Sequence, residues 1–206
     1  MVEFKSSETR TNLMRAFAGE SQARNRYTIA AQKANEMNLP VLRDVFLYTA
    51  NQEREHAEVF YDFLKQMTGE KITITGDYPI DNYDDAGRLL RAAQHGETDE
   101  YENVYPSFAQ KAQEEGYPEI AAAFTMIANI EKVHADRFGA FADLLERNEL
   151  FASETETVWM CQNCGHIHTG KEVPGKCPVC DAVQGQFLRY EMTPYSACDK
   201  PQCKGE

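Results

Sequence analysis

Residues 50–60 of the chain read ANQEREHAEVF, and residues 128–138 read ANIEKVHADRF. The two stretches are 78 positions apart, and the AQKA at 31–34 recurs as AQKA at 109–112 with the same spacing. Each long stretch contains Glu-x-x-His, which places a carboxylate and an imidazole on one face of a helix, one turn apart. This repeat predicts that two copies of one helical hairpin form the first part of the chain.

Helical composition, with apolar residues spaced by three and four, extends over about 8–67 and about 84–148. Each half is interrupted once, just before Pro40 and Pro118, and a proline is well suited to the first turn of a new helix. The four helices are joined by two short links and one long crossing segment. This order predicts an all-α, ferritin-like four-helix bundle over residues 1–148.

The register between the two copies changes by one residue inside their first helices. The Gly-Glu pair at 19–20 matches the pair at 96–97 with a spacing of 77, whereas Tyr27 matches Tyr105 with a spacing of 78. A helix most simply absorbs one extra residue as a π-bulge, and such bulges are frequent at functional sites. The sequence therefore predicts a π-bulge between Glu97 and Tyr105.

Each copy also carries a glutamate on its first helix, so two helices give one Glu each and two give Glu-x-x-His each. This is the ligand set of ferritin-like di-iron proteins, and here it comprises Glu20, Glu53, His56, Glu97, Glu131 and His134. Four buried carboxylates without a cation would be very costly. Imidazole suits iron, and bridging carboxylates offset the repulsion between two metal ions. The sequence therefore predicts two iron ions in the bundle.

Three further residues are candidates for the same site. Glu100 has no counterpart in the first copy, where Ala23 holds the equivalent position. It is either a seventh ligand, reached through the bulge, or an ordinary surface glutamate. Tyr27 and Tyr105 lie about two turns beyond the first-helix glutamates; core filling and support of the metal ligands are equally compatible with their positions.

The composition changes after residue 148. Residues 149–157 are predicted to be a linker, 158–191 a small loop-rich domain and 192–206 a polar tail. The small domain contains two CxxC pairs separated by twelve residues, Cys161, Cys164, Cys177 and Cys180. Two such pairs hold one iron or one zinc ion tetrahedrally. The neighbouring di-iron site needs an electron source, and this context favours iron.

The remaining cysteines, Cys198 and Cys203, lie in the polar tail. Free thiols are the favoured interpretation, with a third metal site or a redox disulfide left open. All six cysteines follow residue 160, and the CxxC pattern indicates metal binding in a reducing compartment rather than structural disulfides.

The overall charge restricts the possible partners. The chain has 33 acidic and 21 basic residues and a formal net charge of -12, which argues against nucleic acid as a main partner. No run of eighteen apolar residues predicts a membrane span, and the first residues lack the apolar core of a signal peptide. We expect a cytoplasmic protein.

These motifs together resemble the rubrerythrin family. The resemblance rests on GESQARNRY at 19–27, the two Ala-Asn-x-Glu-x-x-His blocks, Gly96-Glu97-x-x-Glu100 and the trailing four-cysteine module, and it covers the chain to about Tyr190. It implies iron ligation by the six bundle residues above and by Glu100, and a rubredoxin-type iron at the four cysteines. It also implies that one iron exchanges a Glu ligand for a His ligand on reduction, here Glu100 and His56. The tail beyond Tyr190 departs from the family pattern.

The resemblance further implies an activity. Members of this family reduce hydrogen peroxide to water with electrons from rubredoxin or an NAD(P)H-dependent reductase. The implied catalytic residues are Glu100, His56, Tyr27 and Tyr105. A head-to-tail homodimer would bring the four-cysteine domain of one chain to the di-iron site of the other. A ferroxidase or iron-storing protein, and a non-catalytic protein with zinc at the cysteines, are the alternatives.

Overall fold

The computed structural model describes residues 2–194. The predicted ferritin-like bundle is confirmed, and its helical segments are α1 Glu8–Glu36, α2 Pro40–Phe63, α3 Ala86–Asp99, α4 Tyr105–Glu115 and α5 Pro118–Glu146. Short 3-10 turns at Phe4–Ser6 and Lys65–Met67 precede α1 and follow α2. In the described part of the chain, no helix combines the length and the hydropathy needed to cross a membrane.

A π-helical turn at Glu100–Val104 joins α3 to α4, so these segments form one continuous helix. The Tyr105 N–H donates to the carbonyl of Glu100, five residues back. The predicted π-bulge is therefore confirmed. The extra residue of the second copy is accommodated in this wide turn, which ends just before Pro106, a residue with no N–H to donate.

The links between the helices are of the predicted kinds. Residues 37–39 connect α1 to α2, and Gly116 with φ of 89° ends α4 just before α5, since glycine adopts this left-handed conformation readily. The crossing segment from 68 to 85 has no regular secondary structure. It is held against α1 by Arg26, which pairs with Asp81 at 2.6 Å, and by Lys33, which donates to the carbonyl of Tyr83.

The start of α1 is tied to the end of α4. The Ser7 hydroxyl accepts the Arg10 N–H at 3.1 Å, and the Glu115 carboxylate accepts the backbone N–H groups of Glu8 at 3.0 Å and Thr9 at 2.8 Å. These acceptors satisfy N–H groups that a helix cannot bond internally at its first turn. The two halves of the bundle are thus joined at this end.

The apolar core consists of two clusters that repeat the sequence duplication. One contains Tyr27, Phe46 and Phe138, with ring centroids 5.1 to 6.2 Å apart. The other contains their counterparts at a spacing of 78, with centroids 4.9 to 5.9 Å apart, namely Tyr105, Phe124 and Phe60. Each triad combines rings from both copies, so neither hairpin closes its core alone.

The small domain is a three-stranded antiparallel sheet in the order β2-β1-β3, with β1 at Ala152–Cys161, β2 at Ile167–Glu172 and β3 at Phe187–Arg189. Trp159 is fully buried in its core and donates to the carbonyl of Gly170 at 3.0 Å. Strand β1 begins inside the segment 149–157 that was predicted to be a linker, so residues 152–157 are strand instead. Their polar composition is typical of a linker, whereas pairing of β1 with β2 makes these residues part of a strand.

Two 3-10 turns complete the described chain, at Gln184–Gln186 and Tyr190–Met192. Leu188 of β3 packs into the bundle core cluster that contains Tyr27, so the small domain rests on the bundle. Cys198 and Cys203, with most of the predicted tail 192–206, lie outside the described residues.

Candidate metal centres

The six glutamates and histidines predicted as bundle ligands converge in one buried layer between the two aromatic clusters. They form two groups of four, and in each group one ligand atom per residue lies within 4.8 Å of the others. The first group is Glu20, Glu53, His56 and Glu131; the second is Glu53, Glu97, Glu131 and His134. Glu53 and Glu131 belong to both groups. This is the arrangement of two metal positions with two bridging carboxylates.

The atoms of this layer are spaced like ligands of shared metal ions. His56 Nδ1 lies 2.9 Å from Glu131 Oε1, and His134 Nδ1 lies 3.0 Å from Glu53 Oε1. These separations are those of ion pairs, yet both nitrogens and most of the carboxylate oxygens lack hydrogen-bond geometry. Ligands about 2.1 Å from one ion, at about right angles, are about 3 Å apart. The donor set therefore fits a di-iron centre better than a hydrogen-bonded layer.

Burial and mutual charge shift the pKa values of the layer. Burial raises the pKa values of Glu20 and Glu97 well above the ordinary glutamate range. Burial alone would lower the pKa of His134, but the nearby Glu131, Glu53 and Glu97 outweigh it and raise that pKa to about 12. Bound metal ions would replace these protons, because metal ligands must be deprotonated.

The two tyrosines support the layer in a crossed pattern. The Tyr27 hydroxyl, on α1, donates to Glu97 Oε1, and the Tyr105 hydroxyl, on α4, donates to Glu20 Oε1. Each tyrosine thus holds the first-helix glutamate of the other copy. The rings fill the aromatic triads, and the hydroxyls bond to two of the predicted metal ligands. A role of the hydroxyls in supporting bound metal stays a prediction.

Glu100 lies outside both groups of four. It sits at the start of the π-helical turn, and its Oε1 is 4.0 Å from the position that a Cβ on Gly19 would occupy. Burial, followed by the charges of the neighbouring glutamates, raises the pKa of the Glu100 carboxyl well above its usual range. Its role as a seventh ligand stays a prediction, and in this arrangement His56 occupies the first group.

A cavity of about 360 Å³ leads to Glu100 from the bundle surface. Gly19 and Tyr105 line its inner part, and Tyr78 of the crossing segment lines its outer part. The cavity volume lies within the range of small-molecule sites. A small molecule can therefore reach the edge of the metal layer on the side of Glu100.

The four cysteines of the small domain lie together with their thiols free. The sulfur atoms of Cys161 and Cys180 are 3.8 Å apart, and those of Cys164 and Cys177 are 3.7 Å apart. Four sulfurs at about 2.3 Å from one tetrahedral ion are about 3.8 Å apart, whereas bonded sulfurs are about 2.05 Å apart. The geometry fits a single tetrathiolate metal site of the rubredoxin kind.

Sequence reasoning missed one charged residue beside the layer. Arg137 lies three residues after His134 on α5, and its guanidinium donates to Thr49 and Gln52 on α2. The signal was present in the repeat, because the position that matches Arg137 in the first copy is Val59.

Comparison with known proteins decides the family. The family description "Rubrerythrin" matches residues 11–142, which is more than half of the chain. The chain belongs to the rubrerythrin family. A second match, described as "Rubrerythrin, rubredoxin-like domain", covers residues 159–188 and so includes all four clustered cysteines.

Individual relatives agree with this assignment. Rubrerythrin from Clostridium perfringens is 43% identical over 94% of this chain and all of its own length. Rubrerythrin from Porphyromonas gingivalis is 42% identical over 89% of this chain and 90% of its own. The solved structure of fully reduced, all-ferrous nigerythrin covers 90% of this chain and 87% of its own, with 30% identity and a TM-score of 0.60. As a rubrerythrin-family member, the chain is a di-iron oxidoreductase of oxidative-stress defence.

Proposed function

We propose that this chain is a peroxidase that reduces hydrogen peroxide to water at the di-iron layer of the bundle. The observation that carries the proposal is the cavity that ends at Glu100 and Tyr105, next to a layer whose donors fit two bridged metal ions. A ferritin-like iron store needs the layer but does not need Glu100.

The chemistry follows from the electron count. Reduction of hydrogen peroxide to two water molecules consumes two electrons and two protons, and two ferrous ions in the layer would supply both electrons and act as Lewis acids. Within the chain, Glu20, Glu53, His56, Glu97, Glu131 and His134 would hold the ions. Glu100 and the Tyr105 hydroxyl lie where a peroxide would enter; the hydroxyl would supply a proton, and the carboxylate would accept or return one when it is not a ligand.

We further propose that Glu100 exchanges with His56 as a ligand. The π-helical turn that begins at Glu100 holds more residues per turn than the rest of the helix, and Gly19 across from it leaves room beside the carboxylate. A side chain at position 19 would narrow this space. We therefore assign the Glu100 and His56 exchange, together with support by Tyr27 and Tyr105, to this site.

The iron of the four-cysteine domain would reduce the oxidised irons of the layer again. A single tetrathiolate iron carries one electron at a time, and the exposed Cys164 gives a donor access to it. The proposed donors are rubredoxin or an NAD(P)H-dependent reductase in the cytoplasm. The proposed assembly is a head-to-tail homodimer, in which the four-cysteine domain of one chain serves the di-iron layer of the other.

Stopped-flow mixing tests the proposal. Fully reduced protein is mixed with hydrogen peroxide and, separately, with oxygen, while iron oxidation is followed by absorbance. Peroxidase function requires faster oxidation by peroxide. Faster oxidation by oxygen would instead identify a ferroxidase. Metal analysis of the same sample distinguishes a third iron at the cysteines from zinc.

A matched pair of variants tests Glu100 itself. Glu100→Ala is expected to impair peroxide turnover while iron stays bound, because the six other ligands remain. Glu102→Ala is the control, since Glu102 lies on the same π-helical turn but is exposed. Equal turnover in the two variants would refute the role of Glu100.

A further inference from the structure

Arg137 is a half-buried cation with only neutral contacts. Its Nη1 donates to Thr49 Oγ1 at 2.9 Å and to Gln52 Oε1 at 3.0 Å, and its guanidinium carbon lies 4.9 Å from the ring centre of Tyr48. Within residues 2–194, no carboxylate lies within ion-pair distance of it. Arginine stays charged in proteins, so the molecule keeps a fixed positive charge here that no direct partner cancels.

The guanidinium lies about one helical turn from the metal layer, because Arg137 follows His134 by three residues on α5. Burial lowers the pKa of Arg137, and Glu53, Glu97 and Glu131 act in the opposite direction. These three are the carboxylates of the second group of ligands, which His134 completes. The fixed charge therefore lies beside the metal position held by Glu97 and His134.

The duplication shows that this charge makes the two metal positions unequal. The residue that matches Arg137 in the first copy is Val59, which is uncharged and exposed. The first copy also has an arginine near the layer, Arg26, but Asp81 pairs with it at 2.6 Å and cancels most of its charge. Glu100, in contrast, adds a carboxylate that has no counterpart.

We propose that Arg137 sets the redox asymmetry of the pair, favouring the ferrous state of the iron held by Glu97 and His134. A ferric ion carries one more positive charge than a ferrous ion, so a nearby fixed cation destabilises the ferric state more. This inference rests on two irons occupying the layer, and it does not depend on peroxide being the substrate.

Redox titration of the iron-loaded protein measures the effect, with the di-iron couples followed by their spectra. Arg137→Gln removes the charge, so at a fixed potential the ferric-to-ferrous ratio of one iron is expected to rise by roughly tenfold. Arg137→Lys keeps the charge and should stay near the wild-type ratio. Gln52→Glu keeps Arg137 but places a carboxylate against it, and should raise the ratio as Arg137→Gln does.

The control is Arg54→Gln, because Arg54 lies on α2 beside Glu53 but is exposed and already paired with Glu55 and Glu58. Its loss should leave the ratio unchanged, since exposed charges are screened. Cobalt(II) binding to the metal-depleted protein provides a second readout. Loss of a nearby cation should leave cobalt affinity equal or tighter, whereas loss of a purely structural contact should weaken it.

The outcomes separate cleanly. A raised ferric ratio in Arg137→Gln and Gln52→Glu, but not in Arg137→Lys, supports the proposal. The proposal is overturned if the ferric-to-ferrous ratio is unchanged in both Arg137→Gln and Gln52→Glu. It is also overturned if Arg137→Gln and Arg137→Lys shift that ratio equally and both bind cobalt more weakly. If Arg137→Gln does not fold, Gln52→Glu alone decides. Preference for oxygen over peroxide in stopped flow would refute the peroxidase while leaving these ratios untouched.

Discussion

Replacing Tyr27 or Tyr105 by phenylalanine removes one hydroxyl from the support of the metal layer and little else. The ring that remains still packs in its aromatic triad, with centroids 5.1 to 6.2 Å apart around Tyr27. What is lost is the hydrogen bond to Glu97 in one case and to Glu20 in the other. We expect each substitution to weaken metal binding at one of the two positions.

The size of the effect follows from the burial of these carboxylates. Glu20 and Glu97 are 0% and 1% exposed, so water cannot replace the lost donor. A hydrogen bond to a buried charged group contributes about 1.5–3 kcal/mol. Since 1.4 kcal/mol corresponds to about tenfold in affinity, binding should weaken by about tenfold to about a hundredfold. Loss of other groups that support metal ligands has effects of the same size.

Competition between the metal-depleted protein and a chelator for cobalt(II) measures the affinity at each position. Tyr27→Phe should lower the cobalt affinity of the position held by Glu97, and Tyr105→Phe should lower that of the position held by Glu20. The double variant should lower both affinities. Tyr61→Phe is the control, because Tyr61 is 57% exposed on the outer face of α2. If Tyr27→Phe and Tyr105→Phe bind two cobalt ions as tightly as Tyr61→Phe does, the hydroxyls do not support the ligands.

Three further predictions concern stability. Removal of iron by a chelator should lower the melting temperature measured by circular dichroism, because bound metal stabilises the folded state and its loss leaves buried carboxylates without a cation. An unchanged melting temperature would contradict this. Glu115→Gln should cost about 1 kcal/mol at neutral pH, as loss of a helix cap does. Burial would raise the pKa of Glu115, but the hydrogen bonds from the start of α1 outweigh it and lower that pKa. The carboxylate therefore stabilises the fold above about pH 4.3. The difference between wild type and variant in the free energy of unfolding, measured with denaturant, should disappear as the pH falls below that value. Gly185→Ala should lower the free energy of unfolding by about 1–3 kcal/mol, because the new Cβ would meet Asn38 O and lie 2.7 Å from Pro40 Cδ. Gly175→Ala is the control that should not change stability, since a Cβ there would have no atom within 4 Å.

Much of the fold could be predicted from local sequence patterns. Pro40 and Pro118 marked the helix starts because a proline ring is compatible with only a few helix positions, and both begin helices in the structure. The one-residue slip between the copies located the π-helical turn, because an insertion in a packed helix has few other outcomes. Residues 152–157 misled the linker prediction, because strand formation there depends on pairing with β2, which no local pattern encodes.

For the metal centres, the sequence by itself determined which residue types are available and on which helix face they lie. The duplicated Glu-x-x-His blocks and the two CxxC pairs were sufficient, because helical periodicity and ligand spacing are local properties. Only the tertiary structure decided how these residues are shared. It placed Glu53 and Glu131 in both groups, brought the hydroxyls of Tyr27 and Tyr105 to glutamates of the opposite copies, and set Arg137 against α2. The physical reason is that contacts between helices depend on how the two copies pack.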